Sequence, residues 1–269
     1  MPYVIANGVR TYYESEGTGP HLLLIAGNAM EHTAFKEQVP IFSKHFRCTV
    51  YDLRGIGRSD VPADGYTPAE MAKDALALLS ALGIEESHVG GYSLGGAIAQ
   101  EMALAAPACV LSLSLYSSFE QPLPYMRLRY EILIKTIEET TPELWAMYSA
   151  FSAFGPNFIN KHDDKIRSEI AQRVRRWTLE ESPSCTGIAG HYRAILAHDT
   201  AARLSGIRCP TWIAVGTDDV VTPVCHSERM HALIPGSDLR IFPGKPHRIL
   251  NFDSEDFNAA ALDFLLHRK

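Results

Sequence analysis

Short apolar runs alternate with longer amphipathic stretches along most of the chain. The segment His21–Ile25 is apolar after its first residue, which is typical of a strand buried on both faces. Before it, Tyr3–Ala6 and the alternating segment Val9–Glu14 flank an Asn7-Gly8 pair, a pattern that predicts a β-hairpin. The elements predicted after residue 25 are strands Phe46–Tyr51, Ser87–Gly91, Val110–Tyr116, Pro210–Val215 and Leu239–Phe242, and helices Thr33–Phe42, Thr67–Leu82, Leu94–Ala106, Val224–Leu233 and Ser254–Leu266.

This alternation is typical of an α/β protein with a mostly parallel central sheet and helices on both faces. It is interrupted between residues 118 and 200, where no segment has a clear strand pattern. The helices predicted there are Pro124–Glu139, Pro142–Phe151, Asp164–Glu180 and Pro183–Ala197. We therefore predict a core formed by residues 1–117 and 201–269, and an inserted helical cap, residues 118–200, over the carboxyl ends of the strands.

Composition excludes several classes of protein. The chain of 269 residues carries a net charge of -6, which argues against nucleic-acid binding, since phosphate recognition usually needs a basic face. Its five cysteines are scattered without CxxC spacing, so neither a disulfide framework nor a zinc site is predicted. The first residues lack a signal-peptide pattern, and no apolar run approaches the roughly 20 residues that span a membrane. We expect a cytoplasmic protein without membrane contact, metal or other cofactor, and we leave homodimer formation open.

The segment Gly91–Gly95 has the sequence Gly-Tyr-Ser-Leu-Gly, a G-x-S-x-G pattern. In this pattern the serine, here Ser93, stands on a strained turn between a strand and a helix, and the glycines allow backbone segments to approach closely. An apolar strand precedes Ser93 and a helix rich in small residues follows it, which is the context that the pattern requires. Because a serine hydroxyl is a weak nucleophile without a base, Ser93 predicts a histidine and an acid elsewhere in the chain.

Two loops that follow predicted strands can supply these partners. Where this motif is catalytic, the acid precedes the histidine along the chain. The loop Gly216–Pro223 contains Asp218 and Asp219, and the loop Pro243–His247 ends at His247. Both loops lie just past the carboxyl end of a strand, where open α/β sheets place their ligands. We therefore predict that His247 is the base.

Together these segments resemble the α/β-hydrolase superfamily, and especially small-molecule catabolic enzymes such as 3-oxoadipate enol-lactonases and aminoacrylate hydrolases. The resemblance includes Tyr51–Asp60 and covers nearly the whole chain outside the cap. It implies the α/β-hydrolase fold and a serine hydrolase in which Ser93 is the nucleophile. The family's acid-loop pattern, G-x-x-D-x-x-x-P, assigns the acid to Asp219 rather than Asp218.

The resemblance also implies an oxyanion hole formed by two backbone N–H groups. Leu94, which follows the nucleophile, supplies one, and Asn28, in the loop after His21–Ile25, supplies the other. The family usually has His-Gly-x in this loop, whereas this chain has Ala26-Gly27-Asn28. Since only the N–H is needed, Asn28 can still donate, but a role as a plain turn residue stays open.

The expected activity is hydrolysis of a small-molecule carboxylic ester, lactone, or activated amide or enamine through an acyl-enzyme. The cap interleaves arginines with aromatic residues, and one hypothesis is that one or two of these arginines bind a substrate carboxylate. The other is that they are solvated faces of amphipathic helices. The candidate substrate-binding residues are Tyr92, Arg129, Tyr130, Trp145 and Trp177.

Two alternatives to this activity stay open. One keeps the triad but cleaves a C–C bond of a vinylogous diketone; such enzymes often carry Asn before the serine, where this chain has Tyr92. The other is a non-enzymatic small-molecule receptor built on the same fold.

Overall fold

A single sheet forms the centre of the molecule. The computed structural model describes residues 2–178, 184–252 and 254–267, with the backbone alone described at 176–178. Its strands are β1 Tyr3–Ala6, β2 Val9–Glu16, β3 His21–Ile25, β4 Arg47–Tyr51, β5 Ser87–Tyr92, β6 Val110–Tyr116, β7 Thr211–Asp218 and β8 Asp238–Pro246. They pair in the order β1-β2-β4-β3-β5-β6-β7-β8. β2 is antiparallel to β1 and β4, and the other neighbouring strands are parallel, so the predicted mostly parallel sheet is confirmed.

Helices cover both faces of the sheet. The α-helices are α1 Val39–Phe42, α2 Pro68–Ala81, α3 Leu94–Ala105, α4 Pro124–Glu139, α5 Pro142–Ala153, α6 Pro156–Thr178, α7 Cys185–Ala197, α8 Val224–Leu233 and α9 Glu255–His267. Successive side chains of β3 point to opposite faces: Leu23 and Ile25 pack in the cluster with α2 and α3, and Leu22 and Leu24 pack in the cluster with α1 and α9. All four are 0% exposed, which confirms the prediction that His21–Ile25 is buried on both faces.

Some predicted boundaries were wrong. In place of a continuous helix Thr33–Phe42, the chain forms a 3₁₀ turn at His32–Phe35, a further turn, and the short helix α1. Pro40 is the physical reason, because a proline in a helix interior has no N–H to donate and its ring collides with the preceding turn. The helix predicted as Asp164–Glu180 begins earlier, as α6, with an interruption at His162 (φ -134°). Its predicted end, Glu180, lies outside the described residues, as does Pro183, the predicted start of the next helix.

The helices α4 to α7 lie between β6 and β7 along the chain, in the segment predicted to be a cap. Helix α7 packs closely on the loop after β4: a Cβ added to Gly187 would lie 1.9 Å from the carbonyl oxygen of Gly55. The two connections to this segment meet where the Thr200 N–H donates to the carbonyl of Glu120 at 2.9 Å. None of the described helices is both long and apolar enough to cross a membrane.

A buried ion pair attaches the loop after β4 to helix α2. Arg54 Nε lies 2.7 Å from Asp74 Oδ2, and Arg54 Nη2 lies 2.6 Å from Asp74 Oδ1. Both side chains are almost fully buried, at 5% and 6% exposed. Arg54 Nη1 also donates to the carbonyl of Gly65 at 3.0 Å. The guanidinium thus connects three segments, and removing its carboxylate would leave a buried charge without a partner.

We expect Asp74→Ala to lower the free energy of unfolding by about 3–5 kcal/mol, because breaking one side of a buried pair leaves the other charge uncompensated. Urea denaturation followed by circular dichroism measures the change. The matched control on the same helix is Lys73→Ala, which removes an exposed ion pair with Glu70 and should cost less than about 1 kcal/mol. Equal losses in the two variants would contradict a structural role for the buried pair.

Candidate active site

Ser93 stands on the turn between β5 and α3. Its backbone has φ 54° and ψ -116°, a conformation that non-glycine residues rarely adopt. The next turn of chain packs directly on the end of β3, since a Cβ added to Gly95 would lie 2.1 Å from the carbonyl oxygen of Ile25. The Ser93 N–H donates to the carbonyl of Tyr116 on β6 at 2.9 Å. Neighbouring strands therefore hold the serine at the amino-terminal end of α3.

His247 lies between Ser93 and Asp219. Its Nε2 is 3.2 Å from Ser93 Oγ, and its Nδ1 is 2.8 Å from Asp219 Oδ2. The side chains of His247 and Asp219 are 7% and 0% exposed. Asp219 Oδ1 accepts hydrogen bonds from the N–H groups of Val221 (2.9 Å) and Thr222 (2.8 Å), which fix the orientation of the carboxylate. The arrangement can hold the imidazole with a proton on Nδ1 and a lone pair on Nε2 facing the serine.

The adjacent carboxylate is placed differently. Asp218 ends β7, is half-buried, and its Oδ1 lies 3.1 Å from the hydroxyl of Thr217. The structure thus brings Asp219, and not Asp218, to the imidazole of His247. This agrees with the assignment that the resemblance implies.

Tyr92 supports the loop that carries His247. Its hydroxyl donates to the carbonyl oxygen of His247 at 3.2 Å, and the two ring centroids are 5.2 Å apart. Tyr92 is 2% exposed, and burial raises the pKa of its hydroxyl, which stays protonated. Sequence reasoning treated Tyr92 as a substrate-binding residue; the structure shows in addition a contact that positions the histidine.

Two backbone donors lie near Ser93. Leu94 is the first residue of α3, whose amino-terminal end favours negative charge. Asn28 follows Gly27, where an added Cβ would lie 3.4 Å from Ser93 Cβ. Within the described part of the chain, neither the Asn28 N–H nor the Leu94 N–H donates to a protein acceptor. Both groups are therefore available to an anion at the serine.

Contacts of two residues, Ala29 and His32, hold the loop that carries Asn28. After it, the N–H and the Nδ1 of His32 each lie 2.7 Å from Asp52 Oδ1. Within it, Ala29 has φ 56°, and its N–H donates to Nδ1 of His191 on helix α7 at 3.3 Å. The family usually has a histidine before the glycine, where this chain has Ala26.

His191 is a residue that sequence reasoning left unassigned. It is 0% exposed, and burial lowers its pKa to about 4, so the imidazole is neutral near pH 7. Nε2 then donates to the carbonyl of Arg54 at 2.9 Å while Nδ1 accepts from Ala29. No spacing along the chain links residues 29 and 191. The glycines at 187 and 190 on the same helix are a signal of close packing, but not of this contact.

A cavity of about 720 Å³ lies beside His247 and the loop that carries Asn28. Its walls include His247 and Asn28 from the core, and Ser149 and Ile188 from α5 and α7. The substrate-binding candidates that line it are Tyr92, Arg129, Tyr130 and Trp145. The side chain of Trp177 lies outside the described residues. Among the residues described, no three His, Cys, Asp or Glu side chains are grouped closely enough to hold a metal ion.

The sequence matches a family model and several known proteins over most of its length. The model describes the α/β hydrolase fold and matches residues 20–252. A protein of Azorhizobium caulinodans named as a carbamate hydrolase, RutD, is 28% identical over 264 residues, which cover 98% of each chain.

Solved structures with similar folds agree with this match. A hydrolase from Pseudomonas aeruginosa has a TM-score of 0.87 at 27% identity, over 98% of this chain and 97% of that one. The enol-lactonase of Burkholderia xenovorans has a TM-score of 0.87 at 22% identity, over 99% of this chain and 100% of that one, and shows the fold alone. The predicted resemblance and fold class are thus confirmed: this chain belongs to the α/β-hydrolase fold family and is a hydrolytic enzyme.

Proposed function

We propose that the protein is a serine hydrolase that transfers an acyl group from a small-molecule carboxylic ester, lactone, or activated amide or enamine to Ser93 and then to water. The observation that supports this most directly is the position of His247, with Nε2 3.2 Å from Ser93 Oγ and Nδ1 2.8 Å from Asp219. A nucleophile, a base within hydrogen-bond reach and a buried acid that orients the base form the arrangement that activates a serine hydroxyl.

The first half-reaction forms the acyl-enzyme. His247 Nε2 takes the proton of Ser93 as Oγ attacks the carbonyl carbon, and Asp219 stabilises the imidazolium. The carbonyl oxygen becomes an oxyanion, which accepts hydrogen bonds from the Asn28 and Leu94 N–H groups. The imidazolium then gives its proton to the leaving group. In the second half-reaction, water attacks the acyl-enzyme, and His247 takes the proton of the water and returns it to Ser93.

The size of the cavity supports a small-molecule substrate. A volume of about 720 Å³ is within the range of sites that enclose drug-sized ligands, roughly 300–1,000 Å³. Arg129, Tyr130 and Trp145 line it from α4 and α5. We therefore propose that residues 118–200 act as a cap that selects the substrate, while the core carries out the chemistry.

Ser93→Ala should reduce turnover of a p-nitrophenyl ester by about 10⁴-fold or more, because the variant lacks the attacking oxygen. A fluorophosphonate probe should label the wild-type protein at Ser93 and leave the variant unlabelled. Circular dichroism serves as the folding control. Turnover at the wild-type rate in a folded Ser93→Ala variant would refute the assignment of Ser93 as the nucleophile.

The two neighbouring aspartates allow a matched comparison. Asp219→Asn should reduce turnover by about 10⁴-fold, because an amide at this position no longer stabilises the imidazolium. Asp218→Asn, one residue away and directed at Thr217, should stay within about 3-fold of wild type. The reverse order of losses would move the acid to Asp218.

We propose that His191 positions the loop that carries Asn28. The roles of its two ring nitrogens can be tested separately. His191→Asn keeps an acceptor near the Nδ1 position for Ala29, whereas His191→Gln keeps a donor near the Nε2 position for Arg54. We expect kcat to fall about 10-fold or more in the Gln variant and less in the Asn variant, with KM nearly constant, because a displaced donor weakens transition-state binding.

Thermal unfolding of both His191 variants is the control, since each loses one buried hydrogen bond. Losses of kcat that follow stability and do not distinguish Asn from Gln would show that His191 has only a packing role.

A further inference from the structure

The wall of the cavity has more positive than negative side chains. Of the residues that the structure describes, five basic ones line it (Lys36, Arg129, Lys165, Arg173 and Arg248) against three acidic ones (Glu31, Asp164 and Glu169). Asp219, which holds His247, is not among the lining residues. Three of the cations are shielded from solvent: Arg129 is buried, and Arg173 and Arg248 are half-buried. These three residues are called the arginine wall below. Partly enclosed charges are screened less than exposed ones, so the excess acts on whatever occupies the cavity.

Two members of the arginine wall share one carboxylate. Arg173 Nη2 lies 2.6 Å from Glu169 Oε1, and Arg248 Nη1 contacts the same oxygen. Burial raises the pKa of Glu169, but the two guanidinium groups outweigh it and hold that pKa below its ordinary value. The carboxyl is therefore ionised near pH 7, and one negative charge faces two positive ones.

Arg129 has no acidic partner at all among the described residues. It is 7% exposed. Its Nε donates to the carbonyl oxygen of Ser152 and its Nη2 to the Ser152 hydroxyl, both at 3.1 Å. Its Cζ lies 4.8 Å from the ring centroid of Tyr130, a favourable but weaker contact. A buried cation without a counter-ion is costly, and buried charges in proteins are normally paired.

Arg129 and the neighbouring Tyr130 also carry hydrogen-bonding groups that lack a partner among the described residues. Within the described residues, neither Arg129 Nη1 nor the Tyr130 hydroxyl makes a hydrogen bond of regular geometry. The guanidinium lowers the pKa of Tyr130, but burial has the larger effect and raises it, so the phenol keeps its proton. Both atoms are buried, and they belong to side chains that line the same cavity as His247.

We propose that the arginine wall binds a free carboxylate of the substrate, with Arg129 as its main contact, so that Ser93 acts on acyl compounds that carry a second, ionised carboxyl group. The planar guanidinium matches a carboxylate, and the Tyr130 hydroxyl can add a hydrogen bond to it. This inference rests on the proposed function for the reaction, but not for the binding of the anion.

The test compares two esters that differ only in charge at the end of the acyl chain: mono-p-nitrophenyl adipate and p-nitrophenyl hexanoate. The wild-type enzyme should have the higher kcat/KM on the adipate ester. Arg129→Met should lower the ratio of the two kcat/KM values by about 10- to 100-fold, the effect of losing hydrogen bonds to a charged group. Arg129→Lys, which keeps the charge without the fork, should retain part of the preference.

Arg127→Met is the matched control, because Arg127 is exposed and lies on the same helix. It should leave the ratio within about 3-fold of wild type. Equal kcat/KM values for the two esters in the wild-type enzyme would overturn the inference. A loss in Arg129→Met that is the same for both esters would overturn it too.

A binding measurement separates this inference from the proposed function. Adipate itself should bind the Ser93→Ala protein in calorimetry, and its Kd should rise about 10-fold or more when Arg129→Met is added. If neither ester is hydrolysed, the proposed function fails, whereas an Arg129-dependent Kd for adipate still supports the anion site. Adipate that does not bind, or binds equally well without Arg129, refutes the site.

Discussion

The positive φ of Ser93 is the constraint on which the rest of the site depends. A backbone conformation of this kind costs about 1–3 kcal/mol and persists only where its surroundings enforce it. Here the Ser93 N–H is bound to the carbonyl of Tyr116, and the Ser93 carbonyl accepts from the Ser118 hydroxyl at 3.0 Å. The end of β3 closes the third side against Gly95. The hydroxyl therefore projects from the sheet toward His247, with the first turn of α3 behind it.

The helices α4 to α7 also position groups around Ser93 and the cavity. Thr200 and Glu120 lie on the two connections between these helices and the core, and they are hydrogen-bonded to each other. The Thr200 hydroxyl lies 2.6 Å from Gln100 Oε1 on α3, and the fully buried Glu120 contacts His226 on α8. From this base, α7 brings His191 to the loop of Asn28, and α4 brings Arg129 to the cavity. The proposed oxyanion donors and the proposed anion contact thus both depend on how the insertion packs on the core.

Sequence patterns predicted the elements well where burial alone decides them. The strands β3 and β5 are buried because both faces of the sheet are covered, and their positions were correct to within a residue. The helix predicted at Thr33–Phe42 failed because apolar spacing does not reveal the effect of Pro40 on the local hydrogen bonds. The longer β8 was missed because its last four residues include two prolines and a glycine, which are depleted in strands, and they pair with β7 only through the backbone.

By itself, the sequence determined the family and the fold class, and it predicted the order of serine, acid and histidine, because each depends on short motifs placed at the ends of predicted strands. Only the tertiary structure decided how closely Asp219 approaches His247, and that His191 holds the loop of Asn28. It also buries Arg129 without an acidic partner among the described residues. The Asp219–His247 and Ala29–His191 contacts join residues 28 and 162 positions apart along the chain. Side-chain direction and burial, which local patterns do not encode, create them.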